Sequence, residues 1–226
     1  SLGEGIDPHT GEVLSDEGYN VRCYDPDKGM DDPTVLGGCD VVFVCVWTPM
    51  VADGLDTSHV EEAVETVVKN TSTALIAVRS TVPPGIITYF EEKYINRFFA
   101  FVPEFLVEAD PMGSMRKADR VVIGVDDPKR SRWLERIMRD VTPGGPIVPV
   151  TAEEAVMVKL ASNGLLAAKV ALANELYDIC NAYGVEWENV RGAVGLDRRI
   201  GPDHLRVTEE RGYGGSCFPK DVRGLI

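Results

Sequence analysis

The order in which short apolar segments alternate with helical segments is the feature that most constrains the fold of this chain. Helical periodicity predicts helices over residues 58–69 and 128–140. Strands are predicted over the short apolar segments at residues 21–25, 41–47, 74–78, 98–102, 120–125 and 146–150. Apolar strands with helices between them are typical of a mostly parallel sheet covered on both faces, so the sequence predicts an α/β fold. The uninterrupted run at residues 41–47 predicts a central strand.

A long helix is predicted to follow the last of these strands. Thr151 and Glu154 have the spacing of a capping box, in which the threonine caps the helix and the glutamate bonds back to it. Apolar and small residues continue to Tyr183, and Gly184 is a plausible stop. Such a helix, roughly eight or nine turns long, more often joins two lobes or two subunits than fills one core. We therefore expect a first domain over residues 1–150 and a helical region over residues 151–226 that forms a homodimer through residues 151–183.

Cys217 lies in a glycine-rich segment, residues 212–221, whose composition suits a nucleophile. Glycines allow a ligand to approach the backbone, Pro219 stiffens the turn, Lys220 adds a positive charge and Asp221 adds a carboxylate. The other four cysteines lie in or beside apolar segments, as structural cysteines do. An odd number of cysteines, five in all, without a CxxC motif or zinc spacing, argues against a disulfide framework and a metal site, and indicates a reducing compartment.

Composition excludes some classes of function. With 226 residues, 44% of them hydrophobic, the chain is long enough for one large or two small domains. A net charge of −13 argues against non-specific nucleic-acid binding, and an anionic substrate would need local cations. The apolar runs are shorter than a membrane span and the first residues do not resemble a signal peptide, so we expect a soluble cytoplasmic protein without a membrane partner.

Two polar pairs with helical spacing are further site candidates. Lys159 and Asn163 are four residues apart and therefore share a face of the long helix. Two interpretations are open: the pair is an exposed polar stripe, or it supplies hydrogen-bond donors to an oxyanion. Glu104 and Glu108 follow the strand at residues 98–102, as an acidic first turn or as carboxylates at the ligand-binding edge of the sheet. Thr81 ends the preceding strand and suits either ordinary turn chemistry or the same site.

These residues together resemble one enzyme family. The matching segments, all in the order of the family, are residues 24–25, 39–46, 48–49, 79–83, 103–106, 120–124, Lys159 with Asn163, residues 174–175, Asp197, residues 199–201 and the Cys217 segment. The chain is similar to the nucleotide-sugar 6-dehydrogenases, the UDP-glucose/GDP-mannose 6-dehydrogenase family. The pair Lys159 and Asn163 is shared with the wider group that resembles 6-phosphogluconate dehydrogenase.

The resemblance implies a Rossmann-like NAD-binding domain and a primary alcohol oxidised to an acid by two hydride transfers to NAD. Cys217 would form a thiohemiacetal with the aldehyde, whose oxidation gives a thioester that water cleaves. Lys159 and Asn163 would stabilise the oxyanion. Asp221 would orient water or relay a proton with Thr81 and Glu108, and Glu104 would assist hydrolysis.

The resemblance also assigns binding residues. Asp25 would accept hydrogen bonds from the adenosine ribose, which favours NAD over NADP. Thr48, Thr81, Glu108 and Lys220 match positions near the cofactor. The residues that match substrate-binding positions of the family are Glu104, Phe105, Leu106, Lys159, Asn163, Arg206 and Gly214.

The chain departs from the family at both ends. No strand followed by G-x-G-x-x-G precedes Gly18, and Trp47 stands where the family usually has proline. The chain also stops before the second α/β domain, which binds the nucleotide of the substrate, so it is either a fragment or a shortened enzyme. Two other functions stay open: a 3-hydroxyacid or 6-phosphogluconate-type dehydrogenase, which needs no thiol, and a non-catalytic dimeric remnant.

Overall fold

The structure is a computed structural model that describes residues 14–15, 17–52, 54–105, 117–215 and 217–225. By the contacts between its residues the chain divides into two compact units, Ser1–Lys159 and Leu160–Ile226.

A mixed sheet of five strands forms the centre of the first unit. Its order is β1 (Val41–Val44), β4 (Leu75–Val78), β5 (Phe98–Phe101), β6 (Val121–Gly124) and β7 (Ile147–Val150). The pairs β1–β4, β4–β5 and β6–β7 are parallel, and β5–β6 is antiparallel. A short hairpin of β2 (Met50–Val51) and β3 (Gly54–Leu55) lies outside this sheet. The prediction of a mostly parallel α/β sheet is confirmed.

Helices cover the sheet on both faces. They are α1 (Ser58–Asn70), α2 (Ile86–Lys93) and α3 (Pro128–Val141). Leu134 and Ile137 of α3 belong to a buried cluster with alternate strand residues such as Leu75. On α2, the Phe90 ring stacks on Phe99, with centroids 5.6 Å apart. Alternate strand residues thus pack in opposite directions, which explains why the strands are apolar throughout.

Two of the predicted strands differ from the structure. Among the described residues, β1 pairs only with β4, so it is an edge strand and not the central strand we predicted. Its apolar composition comes from burial on both faces: residues 42–44 are buried, and α1 packs against the strand. The apolar sequence of this strand therefore predicts that it is buried, but it does not predict its position in the sheet.

The predicted strand at residues 21–25 is not a strand. Asp25 makes only an isolated bridge with Met30, through hydrogen bonds of 2.9 and 3.0 Å. The chain reverses directly after Asp25, because Pro26 opens a 3-10 turn and Gly29 takes a φ of 74°. The backbone groups of Asp25 therefore close a local turn instead of joining the sheet.

The long helix, α4, spans Ala152–Ala182, 31 residues. The predicted capping box is present: the Thr151 N–H donates to Glu154 Oε2 (2.8 Å), and the Glu154 N–H donates to Thr151 Oγ1 (3.3 Å). The backbone bond from Thr151, followed by its side-chain bond, lowers the pKa of the Glu154 carboxyl. Gly184 ends the helix with a φ of 67°, and the Val185 N–H bonds back to the Cys180 carbonyl (2.9 Å).

The second unit contains most of α4 together with α5 (Trp187–Gly195) and α6 (Cys217–Gly224). Its small core consists of Ala173, Trp187 and Leu205, and the indole N–H of Trp187 donates to the Leu205 carbonyl (3.2 Å).

Part of α4 is apolar and exposed. Leu165 is 72% exposed, Leu172 59% and Ile179 52%. By length and composition alone, α4 is the one helix among the described residues that could cross a membrane, and 22% of its most apolar window is buried. Leu165, Leu172 and Ile179 recur every seven residues, which places them in one stripe along the helix.

Gly124 allows the start of α4 to approach β6. A Cβ atom at this position would lie 2.6 Å from the Cβ of Ala155, 2.9 Å from the Cα of Ala152 and 3.0 Å from the Thr151 carbonyl oxygen. These neighbours are backbone atoms or a short side chain, so a Cβ here could be accommodated only by moving the helix.

We therefore expect Gly124→Ala to lower the free energy of unfolding by about 1–3 kcal/mol, the usual cost of overpacking. Urea denaturation of the variant measures the change. Gly192→Ala is the matched control, because a Cβ in that α5 position meets no atom within 4 Å, and alanine favours a helix by about 1 kcal/mol. Equal stabilities for the two variants would contradict the close approach.

Candidate functional site

Several predicted site residues of the first unit lie where parallel strands end. Thr48 follows β1, Thr81 follows β4, and Glu104 follows β5. Because β1, β4 and β5 are parallel, their carboxyl ends share one edge of the sheet, which is where open α/β sheets bind ligands. Thr48 and Thr81 are both buried. Ser80 joins two of the loops, since its hydroxyl donates to the Val46 carbonyl (2.6 Å).

Glu104 is held at both its side chain and its backbone. Its Oε2 lies 3.2 Å from Nη2 of Arg79, and its carbonyl oxygen accepts a hydrogen bond from Lys159 Nζ (2.7 Å). The Arg79 side chain is 5% exposed and that of Glu104 is 39% exposed. The structure therefore brings two of the predicted catalytic residues, Glu104 and Lys159, into contact.

Phe105 lies between two cations. The Arg120 guanidinium carbon is 4.2 Å from the ring centroid and Lys159 Nζ is 5.5 Å from it, both within the range of a cation–π contact. Arg120 reaches Phe105 because β6 runs antiparallel to β5. Three basic residues, Arg79, Arg120 and Lys159, thus surround Glu104 and Phe105, although the chain as a whole is strongly acidic.

Asp25 has the chemistry expected of a residue that binds a ribose. Its side chain is 2% exposed, and Oδ2 is buried and accepts no hydrogen bond from any described residue. Lys28 Nζ lies 3.6 Å from this oxygen. A buried carboxylate oxygen without a donor is costly, and ribose hydroxyls would supply that donor, so this residue fits the adenosine half of NAD.

The predicted catalytic residues of the second unit lie on α4 and α6. Asn163 Nδ2 donates a short hydrogen bond to Asp221 Oδ2, and both side chains are buried. Cys217 is the first residue of α6 and is exposed. Cys217 and Asp221 are four residues apart on that helix, so they share a face. An exposed thiol thus lies one turn before a buried carboxylate, and Lys220, half-buried, lies between them.

The segment before Cys217 is anchored to α4. Arg211 forms an ion pair with Asp178, and its guanidinium carbon lies 4.5 Å from the Tyr177 ring centroid. The Gly212 N–H donates to Asn174 Oδ1 (3.4 Å). Arg211 has a φ of 58°, which is unusual for a residue other than glycine. These contacts therefore stabilise a strained backbone conformation.

Four of the predicted site residues remain. Arg206 and Gly214 are exposed in the segment that precedes α6. Leu106 and Glu108 lie outside the described residues. No group of three or more His, Cys, Asp or Glu side chains that could hold a metal ion occurs in the described part of the chain.

Two residues of this region were missed from the sequence. Arg79 belongs to a segment that resembles the family but is not among the predicted site residues, although a charged residue directly after an apolar strand is itself a site signal. Glu153 bonds to the Gly85 N–H (2.9 Å) and to the Thr88 hydroxyl (3.0 Å), so it caps α2 from the start of α4. No local pattern predicts a cap supplied from 68 residues away.

We expect Asn163→Leu to lower the free energy of unfolding by about 1–3 kcal/mol, because it removes the amide donor to the buried Asp221 carboxylate. Asn181→Leu, at an exposed position of the same helix, is the control and is expected to change stability by no more than about 0.5 kcal/mol. Urea denaturation of both variants checks the difference. Asn163→Leu with the stability of the control would show that the pair does not contribute.

Comparison with known protein families gives two matches that together cover most of the chain. Residues 20–142 match the NAD binding domain of the UDP-glucose/GDP-mannose dehydrogenase family, and residues 153–226 match its central domain. The first match confirms the prediction of NAD as cofactor.

Individual relatives agree with these matches. UDP-glucose 6-dehydrogenase of Rickettsia bellii is 36% identical over 197 residues, which cover 84% of this chain and 45% of the relative. A putative UDP-glucose 6-dehydrogenase of Bacillus subtilis, YtcA, is 33% identical over 238 residues, 99% of this chain and 54% of the relative. The chain thus spans about half the length of the curated relatives it matches.

Solved structures show the same fold. A UDP-glucose dehydrogenase from Pyrobaculum islandicum has a TM-score of 0.76 at 30% identity, with 97% of this chain and 56% of that chain covered. A GDP-mannose dehydrogenase from Pseudomonas aeruginosa has a TM-score of 0.67 at 27% identity, with 96% and 56% covered. The sheet and the long helix described above therefore form a Rossmann-like fold, and the chain belongs to the UDP-glucose/GDP-mannose dehydrogenase family.

Proposed function

We propose that this chain carries the NAD-binding and catalytic parts of a nucleotide-sugar 6-dehydrogenase. The reaction is oxidation of the C6 primary alcohol of a nucleotide sugar, with UDP-glucose favoured, to the uronic acid. The observation that carries the proposal is the exposed Cys217 at the start of α6, one turn before a buried Asp221 that Asn163 holds. A one-step alcohol dehydrogenase needs no such thiol.

Cys217 connects the two oxidations in this proposal. NAD, when bound, would supply the hydride acceptor, with one NAD consumed in each of the two oxidations. Between them, the Cys217 sulfur adds to the carbonyl carbon of the aldehyde and forms a thiohemiacetal, whose oxidation leaves a thioester. Water then cleaves the C–S bond, which releases the acid and the thiol. Two hydrides leave each sugar, so each acid is accompanied by two NADH.

The other residues have proposed roles that follow from their chemistry. Lys159 and Asn163 supply N–H donors to the oxyanion that develops when sulfur or water adds to the carbonyl. Asp221 orients water or relays a proton with Thr81 and Glu108, and Glu104 accepts the proton of the hydrolytic water. Asn163 is already hydrogen-bonded to Asp221, so a change in one residue is expected to alter the other.

The proposed binding residues divide between cofactor and substrate. Asp25 is proposed to bind the adenosine ribose. Thr48, Thr81, Glu108 and Lys220 are assigned to the cofactor by the resemblance. The substrate residues proposed are Glu104, Phe105, Leu106, Lys159, Asn163, Arg206 and Gly214. The basic residues around Phe105 would offset the negative charge of a sugar nucleotide.

Assay of NADH release with a panel of UDP- and GDP-sugars tests the function. We expect one sugar class to give two NADH per acid formed. Cys217→Ser is expected to lower acid formation by at least about 100-fold, because a serine hydroxyl cannot replace the thiolate as the covalent carrier. Isothermal titration with NAD is the control, and both proteins are expected to bind it equally.

Two outcomes would contradict the proposal in different ways. Unchanged acid formation by Cys217→Ser would exclude the thioester route. An absence of NAD binding at millimolar concentration would favour a non-catalytic member of the family. One NADH per product would instead favour a single oxidation, as in a 3-hydroxyacid dehydrogenase.

We further propose a homodimer through residues 151–183. The exposed stripe of Leu165, Leu172 and Ile179 on α4 costs free energy in water and would be buried by a second copy of the helix. Light scattering is expected to give twice the chain mass of 24.7 kDa. Leu172→Glu is expected to shift the protein to monomer, because it places a charge within the stripe.

Asn181→Glu is the matched control for the dimer. This exposed residue lies nine positions after Leu172, half a turn away around the helix, so the dimer is expected to persist. A monomeric mass for the unmodified protein would refute the proposal.

A further inference from the structure

Arg79 is a buried cation in the candidate site to which no role has been given. Its side chain is 5% exposed, and it directly follows β4. Its backbone N–H donates to the Val44 carbonyl (2.9 Å), so the position of the residue is fixed by the sheet. Burying a guanidinium is costly unless a carboxylate or other acceptors compensate its charge.

Arg79 forms an ion pair with Glu104, and the two partners differ in burial. Arg79 Nη2 lies 3.2 Å from Oε2 of Glu104, whose side chain is 39% exposed. One oxygen of this carboxylate is therefore directed by a buried cation, while part of the group stays open to water. A pair that served stability alone gains little from a half-exposed partner, because solvent screens the attraction.

The backbone of Glu104 is held as well. Its carbonyl oxygen accepts the hydrogen bond from Lys159 Nζ at 2.7 Å. With the carbonyl held by one cation and the carboxylate by another, the side-chain torsions of Glu104 are restricted between two fixed points. Holding a base in one geometry is a recognised source of rate acceleration, because the cost of ordering it is met before the reaction.

We propose that Arg79 is a positioning residue for hydrolysis of the thioester, acting through Glu104. This inference rests on the proposed function. In the step concerned, water adds to the carbonyl carbon of the thioester and gives one proton to the Glu104 carboxylate. The C–S bond breaks and its electron pair leaves with the Cys217 sulfur. The acid is released, no electrons pass to the cofactor, and Glu104 then returns its proton to solvent or to the thiolate.

The expected kinetic signature follows from the position of this step in the sequence. Both hydride transfers precede hydrolysis, so a defect in hydrolysis leaves an initial burst of two NADH per site and slows only later turnovers. The value of kcat falls, KM falls in proportion, and kcat/KM is retained because it reports steps up to the first irreversible one. Loss of folded protein would instead lower the burst amplitude and kcat/KM together.

The experiment is rapid mixing of the protein with NAD and its sugar nucleotide, followed by NADH absorbance and by mass spectrometry of acid-quenched protein. We expect Arg79→Met to lower kcat by about 10- to 100-fold. This loss is smaller than the full contribution of a general base, because Glu104 itself is still present. The quenched variant should carry the acyl group on Cys217. Arg79→Lys should recover part of kcat, since it restores the charge without the planar fork of arginine.

Glu104→Gln and the double variant test whether Arg79 acts through Glu104. If it does, Arg79→Met should add no further loss of kcat to Glu104→Gln, since the two residues form one unit. Arg97→Met is the matched control. Arg97 is a part-buried arginine outside the candidate site that caps α1 by donating to the carbonyls of Thr71 and Val68. The kcat of the Arg97→Met variant should therefore equal that of the wild type.

Each result separates this inference from the function on which it rests. If the wild-type protein does not give two NADH per acid, the proposed function is wrong, and the role inferred for Arg79 is wrong with it. Normal wild-type turnover with a reduced kcat/KM in Arg79→Met, no acyl adduct, or losses that multiply in the double variant would overturn the role of Arg79 alone.

Discussion

The first turn of α4 is held by contacts from three directions, and the position of Lys159 depends on them. The capping box of Thr151 and Glu154 fixes the residue at which the helix begins. The bond from the Gly85 N–H to Glu153 ties the same turn to α2, and the missing side chain of Gly124 lets it lie against β6. From that start, two turns of regular helix carry the Lys159 ammonium to the Glu104 carbonyl. The site contact is therefore a consequence of where the helix starts and of a glycine in the sheet.

The candidate site in the first unit is locally positive, although the chain as a whole is negative. The net charge is −13, yet Arg79, Arg120 and Lys159 surround Glu104 and Phe105. Two of the three are held by backbone or sheet geometry: Arg79 follows β4, and Arg120 precedes β6, whose antiparallel pairing brings it to Phe105. Total charge therefore predicts little about the ligand, because the potential that a substrate meets is set by the nearest few groups.

Sequence patterns predicted the parts of the fold that depend on local periodicity. Helix α1, helix α3, the capping box and the stop at Gly184 all follow from side chains within one or two turns of each other. The two errors have different causes: the strand predicted at residues 21–25 is interrupted by the local turn at Pro26 and Gly29, whereas the position of β1 depends on pairing between distant strands, which leaves no local pattern. Residues 42–44 are buried, so β1, which has one partner strand among the described residues, resembled a central strand. The contacts that Arg79 and Glu153 make across 25 and 68 residues were invisible for the same reason.

The two candidate carboxylates differ in burial, which argues for different roles. Glu104 is half-exposed and paired with a cation, so its charge is compensated while water can still reach it. Asp221 is fully buried, and one of its oxygens accepts a hydrogen bond from the Asn163 amide, which directs the carboxylate. A base that takes a proton from water must be accessible to water, and this condition fits Glu104. A buried group held by an amide is better suited to orienting its neighbours, as one turn of α6 would allow Asp221 to do for Cys217.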